Sequence, residues 1–488
     1  MADINFVDCS LRDAQASLWG EKMNTAMMYN IAPMMNHAGF AAMDATAISH
    51  FEFAVRYLRE NPWERMRLLS NAIPNIPLSL MMLGNTLTLF RITSGPIMEL
   101  WMERLAANGI RRVQLMEPSN NMADIEKGVL YAKNAGLEVA IGLVFSHSPV
   151  HTDKYYAERT ENAAELNPDA IYLKDSGGLL TPNRTQTIIP AMMEKLNGIP
   201  FEFHSHCTTG LAPLCYIEGM KLGVKTFHTA TRPLANGASM PSTECIMRNA
   251  NHMGYKTRLN EKAVESIKDY FYGVATAEDL PVGIPVEYDA YQFEHQIPGG
   301  VISNLKRQLE QIGLADNIEK VLDETVLVRK ELGYPIMVTP FSQFAVTQAS
   351  LNVSQGERYK VITDEIIKFA LGFYGKQILP VDEELLDKIH CQTRTKELLD
   401  WKPEELTIDE LRSDFGSSLS EDELLLLVLV PEEDLNAMKK AGPIKTEYSI
   451  INKPLSLFIK NILNKTTSSS VHINQDQFSL QLRRNDRD

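Results

Sequence analysis

Three short segments of this chain carry side chains that could together bind one metal ion. The first segment contains Asp13, the second contains Lys174, and the third contains the pair His204 and His206. Side chains two positions apart on a β-strand leave the same face, so both imidazoles would point one way and Ser205 the other. Imidazole and carboxylate groups are common ligands of zinc and similar divalent ions. These residue types therefore predict a metal-dependent reaction centre, provided that the fold brings the segments together.

Apolar runs with the character of β-strands recur through the first half of the chain. They are Ile4–Val7, Ala41–Ala47, Leu78–Leu83, Val113–Met116, Val139–Val144, Ala170–Leu173, Phe201–Phe203 and Thr226–Thr229. Helix-like stretches such as Met122–Ala135 and Ala157–Leu166 separate them. Strands that alternate with helices favour a parallel sheet closed as a barrel. We therefore predict an α/β fold with a (β/α)8 TIM barrel over residues 1–258.

The predicted barrel would collect the candidate ligands at one end. Asp13 follows the first strand, Lys174 ends the sixth, and His204 and His206 end the seventh. Barrel enzymes keep their catalytic residues at the carboxyl ends of the strands. Isolated histidines on a strand are often no more than polar residues near a rim, but a chance scatter of ligands would not sort to one rim. The positions therefore favour a metal site.

The length and composition place limits on the rest of the protein. The 488 residues exceed the roughly 250 that one barrel needs, so a further domain is expected. The formal net charge of −14 argues against a nucleic-acid partner. We find no apolar N-terminal leader and no stretch that could span a membrane. The five cysteines are irregularly spaced and indicate a reduced, cytoplasmic protein.

The second half of the chain has a helical pattern. Apolar residues spaced by three and four predict helices over Val264–Gly273, Val301–Gln311, Ile318–Leu332, Val361–Leu371 and Glu383–Cys391. We predict an all-helical domain over residues 259–440 that packs at the barrel mouth. Residues 441–488 are expected to form a partly flexible linker and tail. A polar linker is predicted over Thr466–Ser470, and the alternation of apolar residues from Val471 to Leu482 is compatible with a terminal hairpin.

Longer motifs run through both halves in a fixed order. They are Asp8–Ala14, Ser148–Thr152, Leu173–Asp175, Gly178–Pro182, His204–His206, Pro298–Gly300, Gly333–Pro335, Val338–Pro340, Ser342–Gln343, Gln348–Ala349, Gly356–Lys360 and Gly372–Lys376. With these motifs the chain resembles the biotin-dependent carboxyltransferases. That family includes the α subunit of oxaloacetate decarboxylase, the carboxyltransferase domain of pyruvate carboxylase and the 5S subunit of transcarboxylase. The resemblance runs from about residue 5 to about residue 440.

The resemblance implies roles for the candidate ligands. It implies that Asp13, His204 and His206 bind a divalent metal, either zinc or manganese. It also implies that Lys174 is carbamylated, so that a carboxylate-like group becomes the fourth ligand. This would resolve a physical difficulty, because a plain ammonium would repel the metal ion.

The resemblance also implies a reaction. Carboxybiotin, carried by a separate domain, would release carbon dioxide in the site, and the enolate of a metal-polarised 2-oxo acid would capture it. Arg12 would be the catalytic residue that stabilises the enolate as a fixed positive charge. A simpler interpretation of Arg12 is an ion pair with Asp13 or Asp8.

Three residues of the expected substrate pocket depart from the family pattern. Gln114 stands where the family has an arginine that helps to hold pyruvate, and a neutral amide cannot grip a carboxylate in the same way. Ala16 replaces a substrate-contacting glutamine. Ala238 replaces a threonine that relays a proton, and Ser239 is the nearest hydroxyl. Because the metal ligands are all kept, we predict an active enzyme whose substrate is not pyruvate.

The source of biotin and the class of function leave alternatives open. The segment Ala437–Lys440 resembles the start of a biotinyl-lysine motif but lacks the methionine that should follow, and the chain ends too soon for a complete biotinyl domain. We therefore expect biotin on a partner carrier protein, a small acid as the substrate, and a homodimer. The alternatives are a biotin-independent metal lyase or aldolase on the same barrel, and a non-catalytic subunit of a carboxylase complex. The motif Gly356–Lys360 in the helical half argues against the aldolases, which lack it.

Overall fold

A computed structural model describes residues 3–84, 86–87, 93–311, 315–375, 377–399, 407–416, 418–450, 470–475 and 478–483. The strands are β1 (Asp3–Asp8), β2 (Ala42–Ala47), β3 (Leu78–Leu83), β4 (Arg112–Met116), β5 (Glu138–Val144), β6 (Ala170–Asp175), β7 (Phe201–Ser205), β8 (Thr226–Thr229), β9 (Lys256–Thr257), β10 (Ser470–Gln475) and β11 (Phe478–Arg483). The helices are α1 (Gln15–Trp19), α2 (Thr25–Tyr29), α3 (Ala32–Asn36), α4 (Ile48–Phe53), α5 (Pro62–Ala72), α6 (Gly95–Ala107), α7 (Glu126–Asn134), α8 (Asp153–Glu165), α9 (Pro182–Met193), α10 (Ala212–Lys221), α11 (Thr243–His252), α12 (Glu261–Glu278), α13 (Gln292–His295), α14 (Gly299–Gln311), α15 (Ile318–Glu331), α16 (Phe341–Gln355), α17 (Asp364–Ala370), α18 (Glu383–His390), α19 (Thr393–Leu399), α20 (Ile408–Phe415), α21 (Glu421–Leu429) and α22 (Glu432–Ala441). Shorter helical turns lie at Ser10–Ala14, Ala54–Leu58, Met122–Asp124 and Ala315–Asn317.

The strands β1 to β8 form a closed parallel barrel. Each strand pairs with the next in chain order, and β8 pairs with β1 to complete the ring. Every apolar run predicted from the sequence lies on one of these strands, and helices connect them on the outside. The predicted (β/α)8 barrel is therefore confirmed. The short strand β9 pairs with the outer part of β1.

The barrel strands read as continuous apolar runs because both of their faces are buried. On β5, Gly142 faces the barrel interior, and the ring of Tyr172 on β6 fills the space beside it. A Cβ atom at Gly142 would lie only 2.5 Å from Cζ of Tyr172. The glycine is therefore required by the close approach of this ring rather than by its backbone conformation.

The helical half is also confirmed, with changes at the helix ends. The predicted helix Val361–Leu371 begins later, at Asp364, because the hydroxyl of Thr363 caps it by accepting from the backbone N–H of Ile366. The helix α16 was not predicted. Buried residues lie all round it, from Phe341 to Asn352, so it shows no single apolar stripe.

The helical half covers the mouth of the barrel. Ile336 and Val338, in the loop between α15 and α16, pack against Met116 at the end of β4 and Val144 at the end of β5. Most of the other buried residues from Ile297 to Leu398 form a hydrophobic core of their own. This loop, residues 332–340, therefore lies over the carboxyl ends of β4 and β5.

The helices α21 and α22 return to the outside of the barrel. The indole Nε1 of Trp63 donates to the carbonyl of Asp422 over 2.9 Å, and Nε of Arg104 lies 2.8 Å from the carboxylate of the same residue. Arg59 forms an ion pair with Asp434 at 2.9 Å. Apolar residues of both helices join the barrel core. The predicted domain boundaries at residues 258 and 440 stay predictions.

The tail contains the expected hairpin. β10 and β11 pair in antiparallel register, with Ile473 opposite Leu480. The predicted linker Thr466–Ser470 lies outside the described residues except for Ser470, which begins β10. Among the described residues, no helix is both long and apolar enough to cross a membrane. All five cysteines are free thiols.

Candidate active site

The candidate ligands converge at the carboxyl-terminal rim of the barrel. The ligand atoms of Asp13, His204 and His206 all lie within 4.8 Å of one another, and the three residues are buried. Nε2 of His206 lies 3.0 Å from Nε2 of His204 and 3.2 Å from Oδ1 of Asp13. Nζ of Lys174 lies 2.9 Å from Oδ2 of Asp13 and 3.5 Å from Nε2 of His204. The structure thus brings together all four residues that the sequence analysis chose as ligands.

The strand β7 positions the two histidines. His204 lies within β7, and His206 follows its last residue. Ser205 points to the opposite face, as strand alternation requires, and its hydroxyl donates to Oδ2 of Asp175 over 2.8 Å. Asp175 also accepts from the backbone N–H of Leu179 over 2.8 Å. These bonds fix the end of the strand and the following loop, and so they fix the imidazoles.

The hydrogen-bond partners of the histidines suit a bound cation. Nδ1 of His206 donates to the carbonyl of Ala238 over 2.6 Å, which leaves the lone pair of a neutral ring on Nε2. Burial, followed by the charge of Lys174, holds the pKa of His204 well below its usual range, so this ring is neutral. The Nε2 lone pair of His206 faces a carboxylate and a second imidazole, which are both electron-rich. The donor set therefore fits a divalent ion such as zinc or manganese.

Lys174 occupies the position of a fourth ligand. Burial would raise the pKa of Asp13, but Arg12, Lys174 and His206 outweigh it and hold that pKa well below its usual range. As a plain ammonium, Lys174 is itself the cation of the cluster and has no lone pair for a metal. A carboxylated side chain would instead present oxygen ligands. The arrangement therefore fits a metal ion together with a modified Lys174.

Arg12 lies beside the cluster in a buried network of ion pairs. Its Nε donates to Oδ2 of Asp44 over 2.7 Å, and a terminal nitrogen lies 2.8 Å from Oδ2 of Asp13. Burial would lower the pKa of Arg12, but Asp13 and Asp44 outweigh it and raise that pKa, so the positive charge is permanent. The ion pair with Asp13 matches the simpler interpretation of Arg12. Asp8 instead accepts from the hydroxyl of Ser10.

Asp44 is a further residue of this network, and it was not predicted from the sequence. It lies in the middle of the apolar strand β2 and is fully buried. A single carboxylate in an apolar strand requires a buried partner, and this was the signal that could have found it. Its partner is Arg12.

Gln114 lies on β4 with its side chain buried in the barrel. Its Nε2 donates to the hydroxyl of Ser79 over 3.0 Å, and that hydroxyl donates to the carbonyl of Met43 over 3.0 Å. Because the Ser79 proton is used in this way, the amide must present its nitrogen to Ser79 and its oxygen elsewhere. The buried Oε1 has no partner among the described residues. At this position β4 therefore carries a neutral hydrogen-bond acceptor, the Oε1 of Gln114, rather than a cation.

The other candidate substrate residues have more limited contacts. Ala16 is half-buried on α1. Ala238 contributes its carbonyl, which accepts from His206. Ser239 is buried with its hydroxyl 4.0 Å from the sulfur of Met240.

Below the cluster, a further set of buried polar residues lines the barrel interior. Nδ1 of His228 on β8 lies 3.2 Å from Nδ1 of His204, and its Nε2 lies 2.9 Å from Oε2 of Glu202. A terminal nitrogen of Arg112 donates to both oxygens of Glu202 over 2.8 Å. These residues were not predicted from the sequence. Glu202 shares the alternation of His204 on β7, which was the available signal.

The closed parallel barrel, with buried carboxylate and imidazole groups clustered at its carboxyl-terminal rim, places this protein in the class of TIM-barrel enzymes. Comparison with known proteins gives the particular family. Residues 293–480 match the sequence family described as "Conserved carboxylase domain", and residues 111–270 match the family described as "HMGL-like". The chain belongs to the biotin-dependent carboxyltransferase family, and it is a carboxyltransferase or decarboxylase.

Curated relatives match most of the chain. One subunit of the pyruvate carboxylase of Methanocaldococcus jannaschii is 36% identical, with 92% of this chain and 80% of the relative covered. The 2-oxoglutarate carboxylase large subunit of Hydrogenobacter thermophilus is 29% identical, with 91% and 70% covered. The methylmalonyl-CoA carboxyltransferase 5S subunit of Propionibacterium freudenreichii subsp. shermanii is 27% identical, with 88% and 86% covered. The match of the helical half to a carboxylase family decides against the aldolase alternative.

The fold has close counterparts among solved structures. The carboxyl transferase domain from Rhizobium etli pyruvate carboxylase with pyruvate superposes with a TM-score of 0.83 and is 20% identical, with 99% of this chain and 83% of that chain covered. The same domain with oxamate and biotin gives a TM-score of 0.82 at 21% identity, with 91% and 79% covered. At this identity the similarity establishes the fold.

Proposed function

We propose that this protein transfers a carboxyl group to or from the enolate of a 2-oxo acid or related acyl compound, and that a divalent metal is required. The observation that carries the proposal is the convergence of Asp13, His204 and His206 on Lys174 at the barrel rim. The ligands would be these three side chains together with carboxylated Lys174. When bound, the ion supplies a Lewis acid and a template for the substrate carbonyl.

Arg12 supplies the second positive charge of the site. Its guanidinium is held by Asp44 and Asp13 and keeps its proton at any pH at which the protein is folded. A charge fixed in this way needs no rearrangement when negative charge develops on the substrate oxygen. Asp44 therefore acts as the positioning residue for Arg12. Arg12 and Asp13 are each only 5% exposed, and shielding from water strengthens their interactions.

Carboxybiotin would arrive on a separate carrier polypeptide. Two of the similar proteins are named as single subunits of a pyruvate carboxylase and of a 2-oxoglutarate carboxylase, which fits a division of the reaction among several chains. A small acid would then be the diffusing substrate. A homodimer and a cytoplasmic location, which would suit the free cysteines, remain predictions from the sequence.

The substrate would be a compound other than pyruvate. The names of the relatives include both pyruvate and 2-oxoglutarate, so membership of the family leaves the substrate open. The buried amide of Gln114 directs an acceptor oxygen into the barrel, and a carboxylate placed opposite it would meet another acceptor. A substrate with a hydroxyl or amide donor at this position would satisfy it.

Deuterium exchange tests this proposal directly. The full chain, supplied with zinc or manganese, would be incubated in D2O with free biotin and a panel of 2-oxo acids, and proton NMR would follow exchange at the carbon next to the carbonyl. We expect metal-dependent exchange that is faster for another 2-oxo acid than for pyruvate, and its loss in Arg12→Met. Exchange that survives complete metal removal would contradict the metal requirement. Pyruvate as the fastest substrate would contradict the choice of substrate.

A further inference from the structure

A line of polar side chains inside the barrel leads from the amino-terminal ends of the strands to the candidate metal ligands at the carboxyl-terminal rim. Arg112 and Glu202 lie at the start of β4 and β7, His228 lies on β8, and His204 lies above them on β7. All four residues are at most 7% exposed. The hydrogen-bond distances along the line range from 2.8 Å to 3.2 Å. Buried polar groups at such distances form a connected hydrogen-bond chain in which each group has a defined role as donor or acceptor.

The acceptor at one end sets the direction of the chain. A carboxylate only accepts hydrogen bonds, so Nε2 of His228 must carry a proton and donate it to Glu202. In a neutral ring, Nδ1 of His228 then carries a lone pair. It can meet Nδ1 of His204 at 3.2 Å only if His204 donates. The proton of His204 therefore lies on Nδ1, and its Nε2 lone pair faces Asp13 and His206.

Arg112 keeps this direction by balancing charge. It carries only donors and places one nitrogen 2.8 Å from both oxygens of Glu202. The ion pair keeps Glu202 as a carboxylate, which can only accept a hydrogen bond from His228. The ring of Tyr172 stacks on His228 with centroids 5.3 Å apart and an angle of 23° between the planes, which holds the imidazole in the plane of the chain.

We infer that Arg112, Glu202 and His228 are positioning residues that fix the tautomer of His204 and so set the metal affinity of the site. The inference rests on the metal site of the proposed function. It assigns a role in metal binding to residues at the amino-terminal end of the barrel, where side chains usually serve stability. A metal-bound histidine in general depends on the partner of its second nitrogen, which orients the ring and raises its basicity.

The substitution Glu202→Gln should reverse the chain at almost constant volume. Arg112 has only donors and would attract the amide oxygen, which leaves the amide NH2 facing His228. Nε2 of His228 would then have to accept, its proton would move to Nδ1, and His204 would be forced to carry its own proton on Nε2, toward the metal. We expect zinc affinity, measured by competition with a chelating dye, to fall by about 10- to 100-fold.

A second substitution should rescue the first. In the double variant Arg112→Met, Glu202→Gln, the amide is free to turn its oxygen toward His228, so the native direction is restored. We expect zinc affinity to recover toward the wild-type value. A purely structural role for these residues predicts the opposite, because the double variant removes more contacts. Tyr172→Phe is the matched control in the same layer of the barrel, and it should bind zinc as the wild type does.

Two further readouts keep the test decisive. Circular dichroism of the metal-free proteins should show that all variants are folded, and the absorption spectrum of the cobalt-loaded protein should change in Glu202→Gln and return in the double variant. If the loss of the Arg112 ion pair prevents Glu202→Gln from folding, His228→Phe supplies the same test. The phenylalanine ring still packs against Tyr172 but has no nitrogen to form a hydrogen bond. We expect His228→Phe to lose at least tenfold in zinc affinity.

Any of four results would overturn the inference. Wild-type zinc affinity in Glu202→Gln would show that the hydrogen-bond chain does not control His204. Lower zinc affinity in the double variant than in the single variant would show the same. Loss of zinc binding in Cys9→Ser would instead place the ion among Cys9, His204 and His228, whose ligand atoms also lie within 4.8 Å of one another. A wild-type protein that binds neither zinc nor manganese would overturn the metal site of the proposed function as well, and so distinguishes the two failures.

Discussion

The imidazole of His206 donates through Nδ1 to the backbone carbonyl of Ala238, 2.6 Å away, and so turns Nε2 toward Asp13 and His204. This contact gives Ala238 a function that its side chain could not provide. It also makes His206 the ligand at which the metal site can be tested most simply, because Nδ1 is used by this carbonyl and only Nε2 faces the other candidate ligands.

We expect His206→Ala to lose most of its bound metal. Elemental analysis of the wild type, purified without chelators, should give close to one equivalent of zinc or manganese per chain, since the site offers one set of ligands. His390→Ala, at an exposed position on α18, is the matched control and should keep its metal. Full metal retention in His206→Ala would remove this residue from the ligand set.

Lys174 should carry a carboxyl group when the metal is bound. A bare ammonium 2.9 Å from Asp13 and 3.5 Å from His204 competes with a dication for the same space. We expect metal affinity to fall when the protein is equilibrated free of carbon dioxide and to recover when bicarbonate is added, with a new carbon signal in 13C NMR from labelled bicarbonate. Equal metal affinity in both conditions, with no labelled signal, would leave Lys174 unmodified.

Pyruvate should be a poor substrate of the wild type, and Gln114→Arg should improve it. Charged hydrogen bonds to a substrate carboxylate contribute about 2–4 kcal/mol, which corresponds to roughly 30- to 1000-fold in rate. Gln114→Met is the control of similar size without charge and should give no gain. Steady-state assays with pyruvate would measure these differences. Wild-type turnover of pyruvate at rates ordinary for an enzyme would show that this protein is a pyruvate-specific member of its family.

The stability of the protein should fall with rising pH through one buried carboxyl group. Burial raises the pKa of Glu117 to about 8 from its ordinary value of 4.5, despite the backbone N–H groups of Asn121 and Ser119 that donate to it. Between these values the unfolded chain has released a proton that the folded protein keeps, so the group removes about 1.4 kcal/mol per pH unit. Below 4.5 and above 8 its contribution is constant.

Glu117→Gln keeps an oxygen for the same two N–H donors and removes the titration. Denaturant unfolding at pH 5 and at pH 8 should show the variant gaining stability relative to the wild type at the higher pH. The comparison is a difference between two proteins, so the other titrating groups cancel. A constant difference across this pH range would mean that Glu117 is ionised in the folded protein throughout.

The interior of the barrel should not tolerate a side chain at residue 142. Gly142→Ala would place a methyl group 2.5 Å from a ring carbon of Tyr172, and overpacking of this kind costs about 1–3 kcal/mol. Thermal unfolding should show the loss. Tyr172→Phe should be at least as stable as the wild type, because the buried hydroxyl has no partner among the described residues. A fully stable Gly142→Ala would mean that the ring can move aside.

The sequence predicted the barrel and its rim because these depend on patterns along the chain. The apolar runs, the pairing of His204 with His206, and the positions of Asp13 and Lys174 at the strand ends are all local features. Their convergence followed once a closed parallel barrel was chosen, since such a barrel has only one active rim.

The remaining features depend on contacts between distant segments. Arg112 meets Glu202 across the barrel, and Arg12 meets Asp44 from a neighbouring strand. A single sequence shows that each of these residues is charged and lies in or next to an apolar strand, but it does not show which partner each one pairs with. The helix α16 was missed for a related reason, because its buried residues lie all round it and it has no apolar stripe.

The return of α21 and α22 to the barrel has a consequence for how the chain matures on the ribosome. The indole of Trp63 and the guanidinium of Arg104 find their partner in Asp422, which is synthesised more than 300 residues later. A nascent barrel therefore leaves the exit tunnel with one flank uncovered, and that flank stays exposed to chaperones or to other nascent chains until nearly the whole polypeptide has been translated. Early termination would release a barrel with an open apolar seam rather than a smaller enzyme.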